Sequence, residues 1–483
     1  MSYRILVSLF FTAAVLCLVQ NAQAEDGRYG TVVYSDPFQD PLEVFPADQS
    51  ASRNGVGEFA STTCPSSVNL ATPLSVDDAI DIALCNNPQL KSAWAAIKLQ
   101  AAQLGQAKAA YLPVVSLTAT RMRTGTTYPG TGISSTTTSG DEYYGSLNWR
   151  LFDFGGRAAN VNSSQALLDA SVYQHAAALQ KTIQDAVQTY FDCRNAKVEL
   201  LARRDDESIS ANILASAKRR ELEGVSGHGD VLQASTRMLK ATLETNKALV
   251  SFRKSVATLI YAMGLPPDSK IDVPAEGVFV DGASSIDERK KLQSWLDDAS
   301  AMHPGILAAR ARLQAAEYSI DVARSDGMPT VDFSANNYQN GYPGQGLQVE
   351  RTHVNTVGLS VTIPLFDGFS HTYKVRAAQA QAQQRAEDER DVEHSVALEI
   401  VKSYEEVTAS GDILRTTEEL FTAAHESLDS AQRRYDRGAA DISELLNAQA
   451  ALADARQEKF QQQLGFESAR LRLIASAGKF STR

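Results

Sequence analysis

Leu151-Phe152-Asp153 and Leu365-Phe366-Asp367 are the same three residues, 214 positions apart. The landmarks around them keep that offset. Tyr190, in Gln-Thr-Tyr-Phe-Asp, recurs as Tyr404, in Lys-Ser-Tyr-Glu-Glu. Arg219-Arg220-x-x-x-Gly224 recurs as Arg433-Arg434-x-x-x-Gly438, and Met263-Gly264 answers Ala477-Gly478. Residues 152–264 therefore align on the second copy without an insertion. Upstream, Asn87-Pro88 and His303-Pro304 each precede a second proline, Pro113 and Pro329, at an offset of 216. A period this long marks a duplicated half-protein, not a solenoid of 20–50-residue units.

The stretches after the two Leu-Phe-Asp marks, about 157–222 and 370–436, contain no proline and are rich in Ala, Gln, Glu, Arg and Leu, which favour helix. Ile183, Val187, Tyr190, Arg194, Val198 and Leu201 follow one another at spacings of three and four, as do Val396, Ile400, Tyr404, Val407, Gly411 and Leu414. At 1.5 Å per residue each helix is roughly 100 Å long, so it needs coiled-coil-like neighbours. Gly-containing breaks follow at 224–229 and 438–440, and return helices are predicted over about 230–263 and 442–477. Short loops between helices make antiparallel neighbours, so each repeat is a helical hairpin with a tight tip. A further helix opens at Ser75, a suitable N-cap ahead of Asp77 and Asp78, and runs as one piece to about Ala110.

Ahead of each long helix the period changes to two. Tyr143, Gly145, Leu147, Trp149 and Leu151 alternate with Tyr144, Ser146, Asn148 and Arg150; Val357, Leu359, Val361 and Ile363 alternate with Gly358, Ser360 and Thr362. These are strands with one apolar face, and partner strands are expected at 114–122 and 330–338 across loops at 123–142 and 339–354. Asp153 and Asp367 fall at the strand-to-helix turns, where Gly155, Gly156 and Gly368 relax the backbone. An ordinary small sheet on a soluble core is the plain alternative, but little apolar sequence is left to cover it. Four strands cannot close a barrel, and open edges in hydrocarbon leave backbone groups unpaired, so several subunits must pool their strands.

The first 24 residues read as a secretory signal: Arg4, an apolar run from Ile5 to Val19, and Ala22-Gln23-Ala24 before Glu25. Leu16 precedes Cys17, which lacks the small neighbour of a lipoprotein site. Removing the signal deletes one Arg and no acid, taking the net charge from −11 to −12 and arguing against nucleic acid. Of the remaining cysteines, Cys64 and Cys85 are candidates for a disulfide in an oxidising compartment, and Cys193 reads as a small buried residue. No later segment offers 18 apolar residues, so any membrane crossing uses strands. The chain divides into a signal peptide (1–24), an extended arm (25–72) and a first repeat (73–265; strand pair 113–152, tip near 224–229). A connector (266–290), a second repeat (291–478; strand pair 329–365, tip near 438–441) and a tail (479–483) follow. No catalytic constellation, cofactor motif or metal-ligand cluster is present: the seven His are scattered, and only His228 sits in a tip.

With these marks, Tyr-Leu-Pro at 111–113, Ile-Pro-Leu-Phe-Asp-Gly at 363–368 and Arg-Arg-Tyr-x-x-Gly at 433–438 before Ser443-Glu444-Leu445-Leu446-Asn447-Ala448-Gln449, the chain resembles the TolC family of outer-membrane efflux and secretion channels over roughly 74–478. The resemblance implies an α+β membrane protein, mostly long α-helical coiled-coil hairpins forming an α-barrel. Four β-strands per chain would contribute to a trimeric 12-stranded outer-membrane β-barrel. It implies a homotrimer with no enzymatic activity and no cofactor. Such a duct docks with a periplasmic adaptor and with an inner-membrane ABC exporter or proton-driven pump, and its tunnel projects into the periplasm. The arm with Cys64 and Ala-Leu-Cys-Asn-Asn-Pro at 83–88 resemble the subgroup that serves type I protein secretion; multidrug or cation efflux is the alternative, and a non-pore periplasmic adaptor or scaffold a third reading. Carried over on the tip glycines, Asp230 and Glu444 match acidic gate positions and Tyr435 a gate tyrosine. Ala440 stands where a basic partner is expected, which leaves Arg433, Arg434 or Arg437 as substitutes, and Asn447 stands at a second acidic position. Gly224 and Gly438 match the adaptor-docking tips. Asp230 and Glu444 also suit a plainer role as carboxylates at helix N-termini, as the two glycines suit helix termination.

Overall fold

The computed structural model describes residues 41, 42, 44, 73–127, 129, 130, 134–275, 292–339 and 352–477. The chain separates into units 1–43 and 44–483, and every element below belongs to the second. The signal peptide, Cys64, almost all of the arm, most of the connector and the tail lie outside the described residues. In chain order come α1 (Val76–Asn86), α2 (Pro88–Ala109), β1 (Val114–Thr126), β2 (Thr136–Phe152), α3 (Gly156–Leu222), α4 (His228–Ala262), α5 (Leu292–Met302), α6 (Pro304–Ser325), β3 (Thr330–Gln339), β4 (His353–Thr362), α7 (Ser370–Asp436) and α8 (Ile442–Ser476).

The two long helices, α3 and α7, have 67 residues each. Each is covered by two shorter partners, one of 22 residues near the strands (α2, α6) and one of 35 residues near the tip (α4, α8). Antiparallel packing pairs α3 with α4 and α7 with α8; α3 also packs against α2, α6 and α8. The 3.6-residue pattern holds in α3, where Ile183, Val187, Tyr190, Arg194 and Val198 are buried; Leu201 is not, and Leu200 takes its place inside.

The first expectation to fail concerns the N-terminal helix. The helix read as continuous from Ser75 to Ala110 is two helices. The carboxamide of Asn87 accepts from the Gln89 N–H at 2.8 Å and Pro88 opens α2; with φ −59 and ψ 120, Asn87 has left the helical region as residues before proline tend to. Ser75 does cap α1, in a reciprocal capping box with Asp78. The break rests on the end of α4. Gly264, at φ +67, closes that helix, and a Cβ there would meet the Asn86 carbonyl oxygen at 2.7 Å. Around this point lies the main core: Ile80 and Ala83 of α1, Ile183 and Tyr190 of α3, Leu259 of α4 and Leu471 of α8. The Tyr190 hydroxyl donates to the Leu74 carbonyl at 3.0 Å, and burial pushes its pKa up to about 12. A second core joins Trp295 of α5 to Ile400 of α7 and Leu473 of α8.

The strands form one antiparallel sheet in the order β1-β2-β3-β4. β1 and β2 are longer than expected: Gly125 still pairs with Thr137, so most of the segment read as a loop at 123–142 is strand. Register fixes the faces. Leu117 stands opposite Gly145, Val115 opposite Leu147, Trp149 opposite Phe333 and Phe333 opposite Leu359, which builds one apolar face with Val115, Leu117, Trp149, Val357 and Leu359 exposed. The other face is polar: Ser116 pairs with Ser146 at 2.6 Å, Tyr144 with Asn336 at 3.1 Å and Arg150 with Asp332 at 3.0 Å. Apolar outside and polar inside is the pattern of a membrane barrel wall. No described helix is long and apolar enough to cross a membrane.

Each strand-to-helix turn uses two consecutive left-handed residues in swapped order: Phe154 (φ 51) and Gly155 (φ 90), then Gly368 (φ 69) and Phe369 (φ 67). Phe154 is held edge-on against Phe152 and Phe369 against Phe366, contacts that offset the strain of a left-handed aromatic. Asp153 and Asp367 accept the N–H groups of Arg157 and His371. Gly156 does not relax the turn; it starts α3, where a Cβ would lie 2.4 Å from Ser325 Oγ, so it permits close approach to α6.

Replacing Gly264 by Ala should destabilise the protein by about 2–4 kcal/mol, from the left-handed backbone and the collision with residue 86. Gly465, helical and with open space at its Cβ, should gain up to about 1 kcal/mol on the same change. Denaturant midpoints of the two variants check this; equal shifts would refute it.

Candidate functional site

Both hairpins end in the same backbone device. Gly224 (φ +71) and Gly438 (φ +73) turn the chain out of α3 and α7, Val225 N–H donates to the Arg220 carbonyl at 2.9 Å, and Ala439 N–H donates to the Arg434 carbonyl at 2.8 Å. These are Schellman closures, which only glycine adopts without strain. The return helices start differently. Asp441 caps α8, its carboxylate accepting the Glu444 N–H at 2.8 Å, whereas Gly227 at the start of α4 brings no side chain.

The tips are joined by an apolar patch of Ile213, Ala217 and Val231 against Tyr435, Ile442 and Leu445. Across it reaches Arg220. Its Nη1 donates to the Tyr435 carbonyl at 2.8 Å and its guanidinium lies 4.5 Å from the centre of the Tyr435 ring. Arg220 thus ties α3 to the negative end of α7 by a carbonyl bond and a cation–π contact. Tyr435 is 2% exposed, and its hydroxyl finds no partner among the described residues. Burial raises its pKa, the Arg220 charge works against that rise, and Asp230 adds to it.

Arg434 occupies the repeat position of Arg220 and does something else. It forms an ion pair with Glu444 of its own hairpin. Of the three arginines expected to substitute for the missing gate cation, the ion pairs among the described residues include Arg434 and neither Arg433 nor Arg437. Glu444 is therefore partly neutralised, while Asp230, its repeat equivalent, has no ion pair among the described residues. His228 Nδ1 lies 2.8 Å from Glu221 Oε1 at the first tip. Leu222 (87% exposed) and Val225 (62% exposed) project there, where the second repeat has Asp436 and Ala439. Among the described residues no group of acids, His and Cys could hold a metal ion.

Above the tips the contact between α3 and α8 turns polar. Gln449 donates to Ser210 Oγ at 2.6 Å, Arg456 pairs with Asp205 and Asp206, Arg203 with Gln457, and Arg194 with Glu467 at 3.2 Å. Burial raises the pKa of Asp206 and of Glu467, and the facing arginines, Arg456 and Arg194, hold each down. Sequence reasoning missed Arg220 as a tie between the repeats. The signal present was the duplicated Arg-Arg pair, but duplication assigns Arg220 and Arg434 one role and the packing gives them two. Cys85 is disulfide-bonded; Cys64, its expected partner, lies outside the described residues.

Residues 79–265 and 295–479 match the model of the outer membrane efflux protein family. The chain is 32% identical over 416 residues, 86% of each chain, to Protein CyaE of Bordetella pertussis. It is 22% identical over 420 residues, 84% of this chain and 85% of the relative, to the alkaline protease secretion protein AprF of Pseudomonas aeruginosa. Among solved structures it superposes on the outer membrane protein VceC of Vibrio cholerae with a TM-score of 0.71 at 21% identity, covering 83% of this chain and 96% of that one.

Arg220→Ala should weaken the link between hairpins by about 1–3 kcal/mol and speed amide exchange at both tips. Arg434→Ala, which loses a half-exposed pair, should cost less than about 1 kcal/mol and act on its own hairpin alone. Hydrogen exchange on the purified protein separates the two; an Arg220 effect confined to the first hairpin would disprove the tie.

Proposed function

The chain belongs to the outer membrane efflux protein family, and on that premise we propose that it is the outer-membrane duct of a type I protein secretion system. It is a TolC-type channel of the outer membrane, of a family that is not enzymatic and whose channels are trimers working with periplasmic adaptors and inner-membrane transporters. Family membership also disposes of the reading as a non-pore adaptor. The observation that carries the finer reading is Cys85, disulfide-bonded at the end of α1 within Ala-Leu-Cys-Asn-Asn-Pro, the stretch resembling the protein-secretion subgroup. Similarity along most of its length to a protein named for alkaline protease secretion supports it. Under this reading the transporter is an ABC exporter and the cargo a polypeptide. A proton-driven pump and small-molecule cargo are the competing outcome.

Chemistry in such a duct is passive. Three copies of a four-stranded sheet give twelve strands, closing every edge, and α3, α4, α7 and α8 prolong the wall. The tips then form its far end. Tyr435, Asp230 and Glu444 are assigned to the entrance, with Arg434 holding each Glu444 and Arg433 and Arg437 as further cations. Three copies of Asp230 and Glu444 make a ring of up to six carboxylates, which favours cations and repels anions. Because Glu444 is engaged by Arg434, Asp230 carries more of that selectivity. Gly224 and Gly438 shape the surface offered to an adaptor, and Cys64 is the proposed partner of Cys85.

Cross-linking in living cells, followed by identification of the inner-membrane partner, tests the secretion reading: an ABC exporter supports it and a proton-driven pump overturns it. For the entrance, Asp230→Ala combined with Glu444→Ala should weaken block of single-channel current by a multivalent cation about tenfold or more. Unchanged block would remove both carboxylates from the constriction.

A further inference from the structure

A groove of about 470 Å³ opens where the sheet gives way to helices, between the first turns of α3 and the last turns of α6. Its walls include Phe154, Asn162, Tyr318, Asp321, Arg324 and Met328. Beside it Gly156 brings α3 against Ser325 with no room for a Cβ. Register gives its direction. Phe152 stands opposite Val331, and Val331 opposite Val361, so Phe152 lies on the apolar face; Phe154 packs edge-on against Phe152 at 4.8 Å between ring centroids. The groove is thus continuous with the lipid-facing wall at its periplasmic end. The opposite end of that face turns polar at Asn337 and Asn355, which bond to each other at 2.6 Å.

The charges in the groove are one cation and one anion. Arg324 Nη1 donates to Asp321 Oδ1 at 2.9 Å, and both side chains remain more than half exposed. Neighbouring charges are engaged elsewhere: Arg157 is drawn into the turn by Asp153 and the carbonyls of Arg150 and Leu151, and Asp326 by Lys374. We propose that this groove binds the headgroup of a zwitterionic, amine-bearing phospholipid of the periplasmic leaflet. The phosphate sits on Arg324, the ammonium on Asp321, and the acyl chains run from Phe154 and Met328 onto the sheet.

Charge matching selects the headgroup. Laid antiparallel to the Arg324–Asp321 pair, a phosphoethanolamine group sets each charge beside its opposite, and the bonds formed are charge-assisted. A phosphoglycerol headgroup keeps the phosphate contact but leaves Asp321 facing a hydroxyl near a net negative charge. The site depends on the strands lying in the membrane and is indifferent to whether the cargo is a protein or a small molecule.

Native mass spectrometry of the detergent-solubilised trimer, offered equal amounts of phosphatidylethanolamine and phosphatidylglycerol, tests it. Expected are up to three tightly retained ethanolamine lipids per trimer, preferred about tenfold over the glycerol lipid. Arg324→Ala should cut retention of both lipids about tenfold, and Asp321→Asn should abolish the preference while leaving the glycerol lipid bound. Equal retention of the two lipids by the unaltered protein overturns the proposal without any variant, as does unchanged retention in Arg324→Ala or an unchanged preference in Asp321→Asn. A changed transporter partner in cells would bear on the secretion reading alone.

Discussion

Every backbone N–H and C=O of a strand in hydrocarbon must find a partner within protein, because no water is there to supply one and each orphan costs several kcal/mol. The sheet satisfies its interior ladders, β1 with β2, β2 with β3 and β3 with β4, and among the described residues the outer edges of β1 and β4 are open. Its apolar face forbids hiding in water, and its polar face forbids burial in lipid. Closure with further copies meets both conditions at once. The helices inherit the consequence: strands set around a closed ring deliver α3 and α7 as staves of a tube, so the wall below the membrane is made of hairpins side by side.

Duplication supplies those staves cheaply and then is partly undone. The two halves share helix lengths, tip closures and paired left-handed residues at the strand-to-helix turns. They differ where the halves meet. Asp441 caps one return helix where Gly227 caps nothing; Arg434 stays within its hairpin while Arg220 crosses to the other; Leu222 and Val225 expose apolar surface where Asp436 and Ala439 do not. The first hairpin therefore offers apolar contact at its tip and a cation to its neighbour. The second offers its helix end as acceptor. Only a pair of unequal hairpins can be tied this way.

Along the line where the repeats touch, apolar packing is concentrated at two heights, the belt around Tyr190 and the tip around Tyr435. Between them the α3–α8 contact carries the Arg456 pairs with Asp205 and Asp206 and the glutamine bonds of Gln449 and Gln457. Buried ion pairs add little net stability but are costly to leave broken, so they favour register over strength. Such a seam keeps the hairpins aligned lengthwise while contributing less than packed leucines to holding them together. The belt fixes one end of each hairpin, and the tip contact, Arg220 included, is left to hold the other.

The sequence by itself determined the elements whose cause is local. Periodicity of 3.6 and 2, absence of proline, and glycine at the tips placed α3, α7, α8 and the apolar strand faces, because those signals act within a few residues. The break at Asn87-Pro88 was legible too, in a proline that marks the repeat and also opens α2, and the length of β1 and β2 was obscured by Thr- and Ser-rich stretches that pair well yet resemble loops. What only the tertiary structure decided was which partner each duplicated residue takes. Arg220 and Arg434 carry the same neighbours in sequence; one meets the end of α7 across the apolar tip patch and the other meets Glu444, because the two hairpins pack on different sides of each other. Gly156 likewise reads as a turn residue until α6 is seen against it. Local chemistry is written in the order of residues, whereas the choice between equivalent partners is made by which surfaces are brought within reach.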